Sequence, residues 1–276
     1  RVFVALPGVP YEMKPMIDEQ VIPKLKEKFS SKTGKVFLQK TILTTGIGES
    51  SLFEKFGDID ELLVGCKMAF LPSATGVRLR INAEAEDEYK AMEMIETVKR
   101  KIIQYAGEYV FGEDEDTLEL VIGRLLRERG STLSLAESCT GGRISSKIVS
   151  VAGSSDYFLG GVCSYSNDAK IKILGVQSST LEANGAVSVQ TAVEMATGAR
   201  KLFGSDYALS TTGIAGPAGA TAIKPVGLVC IGFSSAEKEY ALEFSFGNRR
   251  DINIERATQR ALEILRRELL KIKIIF

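Results

Sequence analysis

Hydrophobic residues recur at Leu118, Val121, Ile122, Leu125 and Leu126, the i, i+3, i+4, i+7, i+8 spacing of an amphipathic helix. Asp116 as N-cap and Glu119 as its capping-box partner open it, and Gly130 stops it after Arg127 and Arg129. Residues 132–136 then form a short apolar run of the buried-strand type. It leads through Glu137-Ser-Cys-Thr-Gly-Gly142 into a helix over 143–149. Strand, Gly-rich turn and helix make an α/β unit, whose turn at the carboxyl end of the strand is where ligands bind, because amides opening the helix favour an anion. Farther on, Ser188 begins a helix with Ala192, Val193, Ala196, Ala199, Leu202 and Phe203 on one face, small enough for close packing. A strand over 207–212 runs into a second Gly-rich loop, Gly213-Ile-Ala-Gly-Pro-Ala-Gly219, and two such loops imply one ligand held between them. Strands over 227–234 and 239–246, the basic turn Gly247-Asn-Arg-Arg250 and an amphipathic helix over 252–270 complete an α/β domain spanning 114–276.

The front of the chain carries a separate pattern. Strands over 36–45, 68–71 and 77–85, a short helix over 49–56, a long helix over 86–106 and a closing strand near 109–111 predict a small α+β domain over 35–113. The Gly46-Ile-Gly48 turn opens the short helix with Glu49 and Glu54 instead of lysines, so plain turn geometry is preferred over anion binding, and nucleic acid is not the expected partner. Residues 1–34 hold a β-prone run, the turn Pro7-Gly-Val-Pro10 and a helical face over 11–29 interrupted by Pro23. They cannot bury themselves alone and read as part of something longer.

Composition narrows the function. The 276 residues hold 35 basic and 35 acidic side chains, so no overall field favours nucleic acid or an anionic membrane. A hydrophobic content of 45% with only 7 prolines argues against disorder. No apolar run reaches the roughly 20 residues that span a bilayer. The scattered Cys66, Cys139, Cys163 and Cys230 form no CxxC pair, and no secretory leader is evident, so reduced thiols in a cytoplasm are expected, without a structural zinc.

The chain contains no histidine, which excludes Ser-His-Asp and Cys-His mechanisms. A serine must find another base, and a lysine whose pKa is lowered by burial can serve. Ser155 stands in the polar turn after Gly153-Ser154, where a hydroxyl can be exposed and aimed. Tyr165 ends a short strand, and Ser166-Asn167 caps a helix that places Lys170 on its first turn. This Ser155, Tyr165, Lys170 spacing is also what ordinary loop and cap residues produce. Arg249 suits a phosphate through its planar fork, and equally suits a solvated helix N-terminus.

The segments Ala136-Glu-Ser-Cys-Thr-Gly-Gly142, Gly153-Ser-Ser155, Tyr165-Ser-Asn-Asp-Ala-Lys170, Gly185-Ala-Val-Ser188, Thr212-Gly-Ile-Ala-Gly-Pro217 and Lys224-Pro-Val-Gly227 together resemble the CinA C-terminal domain. The resemblance covers residues 114–276. It implies a three-layer α/β/α fold and hydrolysis of the carboxamide of nicotinamide mononucleotide to nicotinic acid mononucleotide and ammonia. The family's catalytic serine, tyrosine and lysine are matched to Ser155, Tyr165 and Lys170. Thr140, Gly141, Gly142, Thr212, Gly213 and Gly216 are expected to line the nucleotide pocket, with Arg249 on the phosphate. No metal is needed, because side chains supply both nucleophile and base; no cofactor is expected, and a homodimer is. Residues 35–113 resemble the family's KH-like middle domain. Leu6-Pro-Gly-Val-Pro-Tyr-Glu-Met13 resembles the end of its molybdopterin-binding-like domain, whose pyrophosphatase activity is not carried over. Two positions depart from the pattern: Ala222-Ile223 stand where relatives often carry acidic residues, and Asn253 where a second basic residue is common. Ser155 attack and a water activated by Lys170 and Tyr165 are both open readings, as is a nucleotide-sensing or protein- or nucleic-acid-binding module without turnover.

Overall fold

The computed structural model describes residues 2–29 and 34–274. The N-terminal helical face is divided into α1 (Pro10–Met16), a π turn over Ile17–Val21 and α2 (Ile22–Phe29), none with a buried residue. Pro23 lies inside this unbroken helical run, and the π turn just before it, where the Ile22 amide bonds the Ile17 carbonyl, falls where proline removes a helical donor.

A small α+β unit follows: β1 (Val36–Thr44), α3 (Glu49–Phe56), α4 (Ile59–Leu63), β2 (Lys67–Pro72), β3 (Val77–Ala85), α5 (Glu88–Ala106) and β4 (Val110–Glu113). Its antiparallel sheet runs β2-β3-β1-β4. Strict alternation along β3 buries Val77, Leu79, Ile81 and Ala83 in a core shared with Leu52, Ile95, Val98 and Ile102 of the helices, and leaves Arg78 and Arg80 in solvent.

The C-terminal unit is three-layered. Its elements are α6 (Leu118–Arg129), β5 (Leu133–Glu137), α7 (Arg143–Val149), β6 (Phe158–Cys163), α8 (Asn167–Leu174), α9 (Ser178–Asn184), α10 (Val189–Phe203), β7 (Tyr207–Gly213), β8 (Leu228–Ser234), β9 (Glu239–Ser245) and α11 (Arg250–Leu270). Strand order is β6-β5-β7-β8-β9, with β5 parallel to both neighbours and β8 antiparallel to both of its own. Leu133 and Leu135 join the core under α6, α7 and α11, whereas Ala136 and Ala208 pack with Leu174, Met195 and Ala199 on the other face. The small residues of α10 permit a close approach: a Cβ at Gly232 would strike the Ala192 carbonyl, and one at Gly198 the Leu174 carbonyl. The N-cap of α6 is Thr117, whose hydroxyl accepts from the Leu120 amide, rather than Asp116. Asp116 instead accepts from the Glu113 amide and Arg124, tying α6 back to β4.

The two units meet on α11. Arg266 and Arg267, both essentially without exposure, bond the carboxylate of Glu263, and Arg266 also donates to the carbonyls of Glu108 and Val110 in the α+β unit. No helix among the described residues is long and apolar enough to cross a membrane.

Candidate active site

Because β5, β6 and β7 are parallel and β9 runs with them, their carboxyl ends gather at one edge of the sheet. The edge collects the turn after Glu137, residues 164–170, the loop after Gly213 and the turn before Arg250. Strand alternation sends Glu137 and Ser138 to opposite layers. Glu137, 1% exposed, turns under α7. Its carboxylate accepts from the amides of Gly142, Ile144 and Ser145 at 2.8–3.1 Å and from the Ser145 hydroxyl at 2.7 Å. The amides that open α7, expected to receive a ligand's anion, are therefore already saturated by the protein's own carboxylate. Gly142, with φ of 91°, bends the chain back so that its amide can reach Glu137.

Ser138 faces the other layer and meets Lys170. The Ser166 hydroxyl caps α8 by accepting from the Ala169 amide, and the first turn of that helix delivers Lys170 inward. Its amine is buried, donates to Ser138 Oγ at 3.1 Å and to the Ser164 carbonyl at 2.7 Å, and makes no ion pair among the described residues. Burial pushes its pKa below the ordinary lysine value, against smaller opposing effects of Cys139 and Cys163. The Ser138 amide donates to the Thr211 carbonyl at 2.9 Å, and the hydroxyls of Thr140 and Thr211 are 2.6 Å apart, so the serine's turn is pinned to the neighbouring strand. Burial raises the adjacent Cys139 thiol to about 12, which leaves it protonated and inert near neutral pH.

Ser155 lies at the other end of the sheet. It is exposed in a 3₁₀ turn, Ser154–Asp156, that precedes β6. The Leu133 amide at the start of β5 bonds the Tyr157 carbonyl, and Arg127 of α6 donates to the Ala152 carbonyl and lies over the Tyr157 ring. Lys170 follows β6, so the strand itself separates it from Ser155 by about 20 Å at about 3.3 Å per residue. The expected Ser155 and Lys170 pairing is not formed, and Ser138 takes the serine's place. The signal for Ser138 was its position at the carboxyl end of a buried strand before a helix, the strand-turn-helix setting of many nucleophiles.

The remaining expected residues divide. Tyr165 is at the site edge, exposed, and accepts from Arg250 at 3.3 Å. Arg249 instead pairs with Asp251 in solvent. Arg250, one residue on, also donates to the Gly216 carbonyl at 2.9 Å and so holds the Gly-rich loop. Thr212 donates to the Ala186 carbonyl, and a side chain at Gly213 would strike the Leu228 carbonyl, so both are engaged in holding the loop. Gly216 lies against Val226, Gly141 is exposed, and Thr140 is buried. Asn253, buried, donates to the carbonyls of Ala215 and Gly247, joining the Gly-rich loop to the turn before α11. Among the described residues no group of three or more His, Cys, Asp or Glu could hold a metal ion.

Comparison with known proteins agrees with this architecture. Residues 115–269 match the CinA C-terminal domain, and residues 39–112 match the damage-inducible protein CinA KH domain. A CinA-like protein of Salinibacter ruber is 43% identical over 270 residues, covering 98% of this chain and 65% of the relative. Another from Chloroherpeton thalassium is 44% identical over 273 residues, covering 95% and 63%. The chain thus spans somewhat less than two thirds of the length of these relatives. Among solved structures, the competence/damage inducible protein CihA from Agrobacterium tumefaciens is 40% identical with a TM-score of 0.53, covering 55% of this chain and 93% of its own. The chain belongs to the CinA family.

Proposed function

We propose that the C-terminal unit is an amide hydrolase with Ser138 as nucleophile and Lys170 as general base, acting on the carboxamide of nicotinamide mononucleotide. The observation that carries the chemistry is the buried Lys170 amine against the Ser138 hydroxyl. With its pKa lowered by burial, the neutral amine accepts the serine proton across the same 3.1 Å contact. The substrate is inferred from the likeness to the family.

Ser138 Oγ bonds the carboxamide carbon as its proton passes to Lys170. The amides of Cys139 and Thr140 follow the nucleophile and have no backbone acceptor among the described residues. We assign them to the oxyanion. Collapse breaks the carbon–nitrogen bond, and Lys170 returns the proton to the departing ammonia. A water then attacks the acyl carbon with Lys170 again taking a proton, releasing the acid and restoring Ser138. Arg250, with Tyr165 beside it, is the cation at the mouth of the site and is assigned to the nucleotide phosphate.

Ammonia release from nicotinamide mononucleotide tests the assignment. Ser138→Ala is expected to lose at least about a thousandfold in turnover, whereas Ser155→Ala stays within about twofold because its turn lies at the far end of β6. An active Ser138→Ala protein, or an inactive but folded Ser155→Ala protein, overturns the Ser138 assignment.

A further inference from the structure

A second recess lies away from the proposed catalytic edge, where the α+β unit meets α11. A cavity of about 320 Å³ is walled by residues 45–49 and 72–77 of one unit and by Phe246, Arg256, Gln259, Arg260 and Glu263 of the other. Its volume and interdomain position are those of small-molecule sites, which run from about 300 Å³ upward.

Its chemistry is cationic. Arg256 and Arg260 stand one turn apart on α11, a spacing that puts both guanidinium groups on one face of the helix. Arg256 is fixed by donating to the Phe246 carbonyl at 2.9 Å, and Arg260 by lying 5.3 Å over the Phe244 ring. Gly46, at φ of 78°, brings the opposite wall close: a Cβ there would lie 3.5 Å from Arg260 Nη1. Two carboxylates line the space. That of Glu263 already accepts three short bonds from Arg266 and Arg267, so its charge is offset. Glu49 is exposed. Neutral donors complete the wall: the Gln259 amide, which reaches Thr45 Oγ1 only at 3.4 Å, and the opening amides of α3, whose N-cap Gly48 offers no side chain. The Gly46-Ile-Gly48 turn lacks lysines of its own. The cations facing it come from α11, more than two hundred residues later, which is why its local sequence gave no sign of an anion.

We propose that this cavity binds a phosphate group, free or as a small monoester, across the junction of the two units. Planar guanidinium groups and neutral N–H donors around a recess suit a tetrahedral dianion. The site is independent of the proposed amidase: Arg256 and Arg260 lie six and ten residues beyond Arg250, about 9 and 15 Å along the helix.

The test is isothermal titration of the full chain with inorganic phosphate and, separately, ribose 5-phosphate. It compares wild type with Gln259→Glu, Arg256→Gln and Arg250→Gln. Gln259→Glu is isosteric, sits outside the proposed catalytic edge and brings a carboxylate to the cavity wall, so it separates lost anion binding from lost folding. The expected result is a saturable event weakened at least about tenfold by Gln259→Glu and by Arg256→Gln and retained in Arg250→Gln. Tighter binding of ribose 5-phosphate assigns the site to a monoester, and tighter binding of inorganic phosphate assigns it to the free ion. The absence of a saturable event in the wild type, or an event unchanged by Gln259→Glu, or one removed by Arg250→Gln alone, overturns the proposal.

Discussion

Glu137 and Ser138 are consecutive residues at the end of one strand, yet each completes a different layer. The Glu137 carboxylate caps α7, and the Ser138 hydroxyl receives the Lys170 amine of α8. The backbone that aims the serine is therefore held by its neighbour's carboxylate. Glu137→Gln keeps the shape but supplies one acceptor oxygen for four donors, and turns an N–H group toward donors in return. A loss on the order of 3 kcal/mol is expected, read as a lower urea midpoint at unchanged slope. An unaltered midpoint would show that the cap contributes nothing.

The depressed pKa of Lys170 has consequences for both activity and stability. Turnover over KM should rise with pH and level off above the folded value, since only the neutral amine can take the serine proton. Between that depressed value and the ordinary lysine value, the unfolded chain binds a proton that the folded chain does not. Wild type therefore gains stability as pH rises through this window, and Lys170→Met should not. Parallel stability curves for the two proteins across that range would remove the physical basis for a neutral base.

Much of the fold was legible because its signals are local. The stripe from Leu118 to Leu126, the Ser166 cap of α8 and the alternation in β3 each lie within about ten residues and needed no tertiary knowledge. The proposed catalytic pair was legible only in part. Lys170 was found from its cap, but its partner depends on which end of β6 faces which end of β5, a matter of strand direction. Ser155 is nearer in sequence and Ser138 is nearer in space. Arg249 and Arg250 show the same limit at closer range: at a helix start one residue is a rotation of roughly 100°, enough to exchange a solvent ion pair for a contact with the Gly-rich loop. Asn253, which seemed a departure from a basic residue, is buried and holds that loop with both amide protons.

That one-residue difference gives a kinetic prediction. Arg250→Gln should raise KM for nicotinamide mononucleotide at least about tenfold, with turnover changed less, because a contact remote from the scissile amide acts mainly through uniform binding. Arg249→Gln, which breaks only an exposed pair with Asp251, should leave both constants near wild type. Steady-state kinetics in which Arg249→Gln carries the KM effect would reverse the assignment.

The junction of the two units depends on Arg266 more than on any shape match that a lysine could imitate. Its Nε and Nη2 hold both oxygens of Glu263, while Nη1 and Nη2 reach the carbonyls of Val110 and Glu108, all at 2.6–3.2 Å. Arg266→Met leaves those two carbonyls without this partner and part of a buried carboxylate unmatched, so a loss of about 3–5 kcal/mol is expected. Lysine restores the charge but not the planar fork, because its single ammonium cannot reach a carboxylate and two divergent carbonyls together. Arg266→Lys should therefore recover only a minor part of the loss, with faster amide exchange along β4, whose carbonyl at Val110 is released. A melting midpoint for Arg266→Lys within about a degree of wild type would mean that charge alone, without the guanidinium geometry, joins the units.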